Sequence, residues 1–340
     1  MERHVLVELG GGLGNQLFQY AAGVSIAAEL RGHLWLRRQK VSWGVALDEF
    51  MRLDHLLPPS SVETSFDDVR PDQLLIRETA WGYRPRTFTT IPTSVRLLRL
   101  EGNFQHPTWF ERGLPRVIDE LRCRLEDSVA AEDKGQAVIS IRRGDYVQLG
   151  WALPPSYYES AAALMRESST TACVISDDPF FAELAIPWFR GLGVDARCAP
   201  TMPDEVSRDL ALMAFARTVV MSNSTFCWWG VMAGDIAGQD RTVIAPRPWL
   251  AAVSADANTM DDPLLRSNWH IVQVGHESPG RVANLSKHVG ISQRRWTKLS
   301  SLVEIVHHTP RVPLRQVCGT RGQRRSSKGA CGPTAPIASK

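Results

Sequence analysis

Apolar and polar positions along the chain fall into two alternating patterns. Val5–Leu9 has the length and content of a buried strand. Gly10–Gly14 reads as a loop, and Asn15–Leu30 takes helical spacing through Leu17, Ala21, Val24 and Ala28. A second strand is expected at Leu34–Leu36. Lys40–Arg96 has weak periodicity and is broken by Pro58, Pro59, Pro71, Pro85 and Pro92, which predicts a loop-rich stretch with short helices. From residue 136 the pattern sharpens into strand Ala137–Ile141, helix Tyr157–Arg166, strand Ala172–Ile175, helices Pro179–Trp188 and Asp204–Ala216, strand Val219–Met221, helix Trp228–Ile236 and strand Val243–Ala245. Repeated strand-helix units predict an α/β chain with parallel sheets and ligands at the carboxyl ends of the strands.

Length adds that 340 residues exceed one ordinary domain, so two lobes are expected. The net charge of +3 misleads, because seven of the 39 basic residues and no acid lie in 311–340; the rest of the chain is slightly acidic and does not read as a nucleic-acid binder. That tail is rich in Gly, Ser, Pro and Arg without an apolar period and is expected to be disordered, solvated or in contact with anionic lipid. No stretch has the apolar length of a membrane helix, and no secretory leader precedes Val5-Leu6-Val7, which points to the cytoplasm. The six cysteines show no C-x-x-C spacing and read as reduced thiols.

Four polar motifs follow predicted strands. Gly10-Gly11-Gly12-Leu13-Gly14-Asn15-Gln16 joins a strand to a helix, where glycines admit a close ligand and the helix N-terminus favours an anion. It lacks the third glycine of the dinucleotide fingerprint and the lysine of a P-loop, and taken alone is equally a tight turn. In Ser140-Ile141-Arg142-Arg143-Gly144-Asp145, one arginine is expected to enter a cleft while its neighbour pairs with a carboxylate such as Asp145. Of Asp177 and Asp178, one is expected to cap a helix and the other to accept hydrogen bonds from a ribose or base. Asn223-Ser224-Thr225-Phe226 opens an aromatic helix and forms either an anion cradle or an ordinary cap. No D-x-D is present to hold a divalent ion on a sugar diphosphate, so no metal is expected.

In this order the motifs, together with Leu100–Gln105 and Pro246–Trp249, resemble the α-1,2-fucosyltransferase family over about residues 5–270. The resemblance implies a GT-B fold, two Rossmann-like lobes facing a cleft: an acceptor-side lobe over 1–128 and a GDP-fucose-binding lobe over 129–275, followed by a helical segment (276–310) and the basic tail (311–340). It implies an inverting, metal-independent transferase that uses GDP-fucose as donor substrate, needs no cofactor, and acts on an oligosaccharide or glycolipid; the alternatives are a fucosyltransferase of another linkage and a non-catalytic GDP-sugar-binding protein. Arg142 corresponds to the arginine on the β-phosphate. Ser224, Thr225 and Phe226 correspond to the diphosphate cradle and Asn15 to a contact from the facing lobe. Gly12, Gly14, Asp177, Asp178 and Asn223 complete the expected donor site, with Arg143 and Asp145 bracing the loop. Asp145 is the nearest motif acid, yet its pairing makes it a poor base. Ser140 stands where members commonly carry His, and Ala214-Phe215-Ala216 is atypical as well.

Overall fold

In the computed structural model, residues 2–274 are described apart from 43, 59–70, 79–83, 131–132, 201, 203, 236–239 and 250–261. Strand β1 (His4–Gly11) is buried from Val5 to Gly10, as an apolar run in the middle of a parallel sheet must be. The chain turns at Gly11 (φ 76°) into helix α1 (Leu13–Leu30), where every residue from Leu13 to Ala27 except Asn15 is buried. A helix apolar on all sides belongs inside the molecule. Its buried polar residues are accordingly satisfied: Gln19 Oε1 accepts from Gly10 N (2.9 Å), and Gln16 Nε2 donates to the Gly11 carbonyl (2.9 Å).

The first sheet is completed by β2 (His33–Ser42), β3 (Gln73–Arg77) and β4 (Leu97–Glu101), all parallel, in the order β2-β1-β4-β3. Short helices α2 (Leu47–Phe50) and α3 (Pro107–Phe110) flank it, and α4 (Leu114–Leu125) packs through Leu114, Val117, Ile118, Leu121 and Leu125. Within this sheet the buried Glu8 carboxylate lies between Arg37 and the buried Arg99, the latter at 3.7 Å.

The second sheet holds six parallel strands in the order β10-β9-β8-β5-β6-β7. In chain order its elements are β5 (Ala137–Ile141), α5 (Gly144–Leu149), α6 (Pro155–Met165), β6 (Thr171–Ser176), α7 (Pro179–Gly191), β7 (Asp195–Cys198), α8 (Glu205–Phe215), β8 (Thr218–Val220), α9 (Thr225–Asp235), β9 (Thr242–Arg247) and β10 (His270–Gln273). Phe18 of α1 meets Trp228 and Trp229 of α9 at ring-centroid distances of 4.8 and 5.1 Å, so one apolar core runs through both sheets. The opposite face of the second sheet has its own core around Ile139, Tyr157, Val174 and Phe189. This is the two-lobed α/β architecture of the GT-B kind.

Several elements differ from the sequence expectation. β3 lies inside the stretch read as loops and short helices, since Leu74-Leu75-Ile76 is too short a run to show a period. β4, β7 and β10 and helices α4 and α5 were not anticipated. α9 starts at Thr225, not Trp228, because the helix opens on the polar residues. Cys123, Cys173, Cys198 and Cys227 are free thiols, although Cys123 is exposed rather than in a core. Cys318, Cys331, the expected helical segment 276–310 and the tail 311–340 lie outside the described residues.

Candidate active site

The carboxyl ends of β1, β5, β6 and β8 carry the four motifs. At the end of β1, the glycine turn opens α1; from the other lobe, α9 opens at Thr225 and meets it. Gly14 marks the approach: a Cβ there would come within 2.4 Å of Phe226 N and 2.6 Å of Thr225 Oγ1. Only a residue without a side chain lets the two helix starts come so near. Asn15 clasps the lobes, its Oδ1 accepting from Thr225 Oγ1 (3.0 Å) and from Gln105 Nε2 (3.0 Å). A Cβ on Gly12 would meet nothing within 4 Å, so the left-handed Gly11 and the crowded Gly14 are the conformationally and sterically constrained glycines, not Gly12.

On the second lobe, Arg142 leaves the end of β5 and is held between two carboxylates, by Nη2 to Asp145 Oδ1 (2.6 Å) and by Nη1 to Asp177 Oδ2 (3.0 Å). The expectation that Arg143 pairs with Asp145 is overturned. The chain turns directly into α5, and three-residue spacing brings Asp145 back over Arg142. Arg143 is still a brace, but against other partners: its guanidinium lies 3.8 Å from the Phe181 ring centroid and 3.5 Å from Asp178 Oδ2. Burial lowers its pKa, opposed by the charge of Asp178.

The acidic pair is fully engaged. Asp178 caps α7, accepting from Phe181 N (2.9 Å), as one of the pair was expected to do. Asp177, expected to be free for a ribose or base, instead accepts from Arg143 N (2.7 Å) and pairs with Arg142, because β6 ends beside β5 with Ile141 opposite Ser176. Burial pushes the Asp177 carboxyl up, against the pull of Arg142.

Arg142 is tied to the fourth motif through aromatic side chains. Its guanidinium stands 5.2 Å from the centroid of Tyr146, Tyr146 packs edge-on to Trp151, and the Trp151 carbonyl accepts from Asn223 Nδ2 (2.8 Å). Burial pushes the Tyr146 hydroxyl up to about 12. Asn223 is 2% exposed, and its Oδ1 has no hydrogen-bond partner among the described residues. Ser224 Oγ accepts from Cys227 N (3.3 Å), capping α9 from the residue just before it. Ser140 shares a hydrogen bond with Ser222 (3.0 Å), joining the ends of β5 and β8.

The predicted residues therefore form two groups at one edge of the sheets: Gly14, Asn15, Thr225 and Phe226 at the lobe junction, and Arg142, Arg143, Asp145, Asp177 and Asp178 at the ends of β5 and β6. Asn223 and Ser224 stand between them. Gln16, Gln19, Glu78 and Gln105 join the site without having been expected there, although Gln16 and Gln105 lie inside the glycine motif and Leu100–Gln105. Among the described residues no group of three or more His, Cys, Asp or Glu forms a metal-type cluster, and no helix is long and apolar enough to cross a membrane.

The O-antigen biosynthesis glycosyltransferase WbnK of Escherichia coli is 28% identical over 143 residues, which cover 39% of this chain and 45% of WbnK, less than half of that relative. The α-1,2-colitosyltransferase of Escherichia coli is 26% identical over 275 residues, covering 72% of this chain and 92% of the relative. Among solved structures, the fucosyltransferase NodZ from Bradyrhizobium aligns with a TM-score of 0.39 and 14% identity over 68% of this chain and 92% of its own. The model of glycosyl transferase family 11 matches residues 118–273, the segment that contains the whole second sheet with Arg142–Asp145, Asp177–Asp178 and Asn223–Phe226.

Proposed function

We propose that this protein is an inverting glycosyltransferase that moves L-fucose from GDP-fucose to a hydroxyl of a galactoside-type acceptor, forming an α-1,2 linkage without a divalent ion or cofactor. The observation that carries this reading is the meeting of the α1 and α9 N-termini, with Arg142 following β5, the strand paired with β8, after which α9 starts. Helix N-termini present unpaired N–H groups and a positive dipole end to a diphosphate. The names of the two curated relatives fit a saccharide acceptor and an α-1,2 linkage, although one of them is named for colitose and not fucose.

In this reaction the acceptor hydroxyl oxygen bonds to the anomeric carbon as the bond to GDP breaks on the opposite face, negative charge grows on the β-phosphate, and the hydroxyl proton is released to solvent. Arg142 meets that charge. Its link to Asp145 is easily exchanged, because the Asp145 side chain is 59% exposed and surface pairs contribute at most about 1 kcal/mol. Asp177 holds the other side of the guanidinium, so the arginine keeps its direction while Asp145 gives way to phosphate. Held by Arg142, Asp145 acts on the arginine and not as the base. Arg143, pinned on Phe181, keeps the loop in place.

The acceptor is taken as an oligosaccharide or glycolipid, met on the cytoplasmic side of a membrane that the basic tail touches. The test is GDP release from GDP-fucose in EDTA with and without a β-galactoside. Acceptor-dependent release supports the proposal; a strict Mn²⁺ requirement, or GDP binding with no release, overturns it.

A further inference from the structure

Asn15 is held in one orientation by two bonds to the same atom. Its Oδ1 accepts from Gln105 Nε2 on the first lobe and from Thr225 Oγ1 on the second, each at 3.0 Å. A carbonyl oxygen has two lone pairs, so both are used. Its Nδ2 has no hydrogen-bond partner among the described residues and lies on the side of the glycine turn, 3.0 Å from where a Gly11 Cβ would be. Asn15 thus offers donors and no acceptor, at the start of α1.

Gln105 is itself placed by a turn under strain. Gly102 has φ 154° and Phe104, a non-glycine residue, has φ 52°, a conformation that persists only where surroundings impose it. Two groups impose it here. Glu78 Oε2 accepts from Asn103 N (2.9 Å) and Phe104 N (2.6 Å), and Gln19 Nε2 donates to the Gly102 carbonyl (3.0 Å). Glu78 stands at the end of β3, Gln19 on α1 and Gln105 just after β4, so three elements of the first lobe converge on the orientation of one amide.

We propose that Gln105 is a positioning residue for the donor diphosphate: it keeps the Asn15 carbonyl turned to Thr225 and the Asn15 N–H groups turned to the phosphate. Glu78 acts one step further back, by holding the turn that carries Gln105. This rests on the reading of Asn15 as a donor contact under the proposed function.

The test is Gln105→Glu, nearly the same in shape but unable to donate at that atom. A carboxylate against Oδ1 repels it; the Asn15 amide turns over, and its oxygen then faces the diphosphate. The expected result is a Kd for GDP raised tenfold or more, with the melting temperature little changed. In an Asn15→Ala background the same substitution adds no further loss, because no amide remains to be turned. Gln105→Ala, which removes the hold without forcing the turn, falls between wild type and Gln105→Glu and serves if the carboxylate variant does not fold. A folded Gln105→Glu protein with wild-type GDP affinity, or losses that add in full to those of Asn15→Ala, overturns the proposal. Wild-type protein that fails to bind GDP overturns the underlying reading instead.

Discussion

Replacing Arg142 by Lys tests whether the geometry of this side chain matters as much as its charge. The guanidinium reaches two carboxylates with two different nitrogens, at 2.6 Å to Asp145 and 3.0 Å to Asp177, and lies over the Tyr146 ring at 5.2 Å. An ammonium on a flexible stem cannot span both acids and still present a planar fork to phosphate. Loss of one preorganised donor to a developing oxyanion costs about 10²–10³ in rate, and because Lys keeps the charge the lower end applies, about a hundredfold. The loss falls on kcat and not on KM for GDP-fucose if the contact strengthens as the bond to GDP breaks. Stability should hardly change, since the bond to Asp145 is largely exposed. Arg143→Lys behaves in the opposite way. It loses the stack on Phe181 and its half-buried link to Asp178, so the melting temperature falls while kcat declines less. Steady-state GDP release and melting curves on both variants decide it. Near-native kcat in Arg142→Lys, or a stably folded but inactive Arg143→Lys, refutes the assignment.

Two further outcomes concern stability. Glu8→Ala leaves the buried Arg99 and its neighbour Arg37 without the carboxylate between them, and should cost about 3–5 kcal/mol in a urea titration; a loss below about 1 kcal/mol contradicts the buried-triad account. Burial pushes the Asp209 carboxyl up to about 6 from 3.8 despite its pair with Arg208 (2.6 Å), so the folded state takes up a proton there. That contribution to stability is present below pH about 4 and is lost as pH rises through 6; Asp209→Asn should flatten the fall in unfolding free energy across that window, and an unchanged profile contradicts it.

The first turn of the fold was legible because β1, the glycine turn and α1 each carry a strong local signal: an apolar run, glycines that a side chain would obstruct, and helical spacing. The same holds for β5, β6, β8 and β9, all central and buried. β7 and β10 lie at the sheet edges with few buried positions, and β3 offers three apolar residues amid prolines, so period gave no purchase on them. Helix α4 does carry its pattern in Leu114, Val117, Ile118, Leu121 and Leu125, at helical spacings of three and four. In the site, residue types announced an anion cradle and a pair of arginines. Which acid meets which arginine depends on where β5 stops and α5 starts, and the Asn15–Thr225 clasp joins residues 210 positions apart. Neither is a local property of the chain.

The most direct test of the central claim is the linkage of the product. The purified 340-residue chain, incubated in EDTA with GDP-fucose and a panel of β-galactosides, should release GDP in step with a new fucoside whose NMR spectrum places the anomeric carbon on the galactose 2-oxygen with inverted configuration. A product with retained configuration, or no fucoside from any galactoside while GDP-fucose stays bound and intact, would contradict the account.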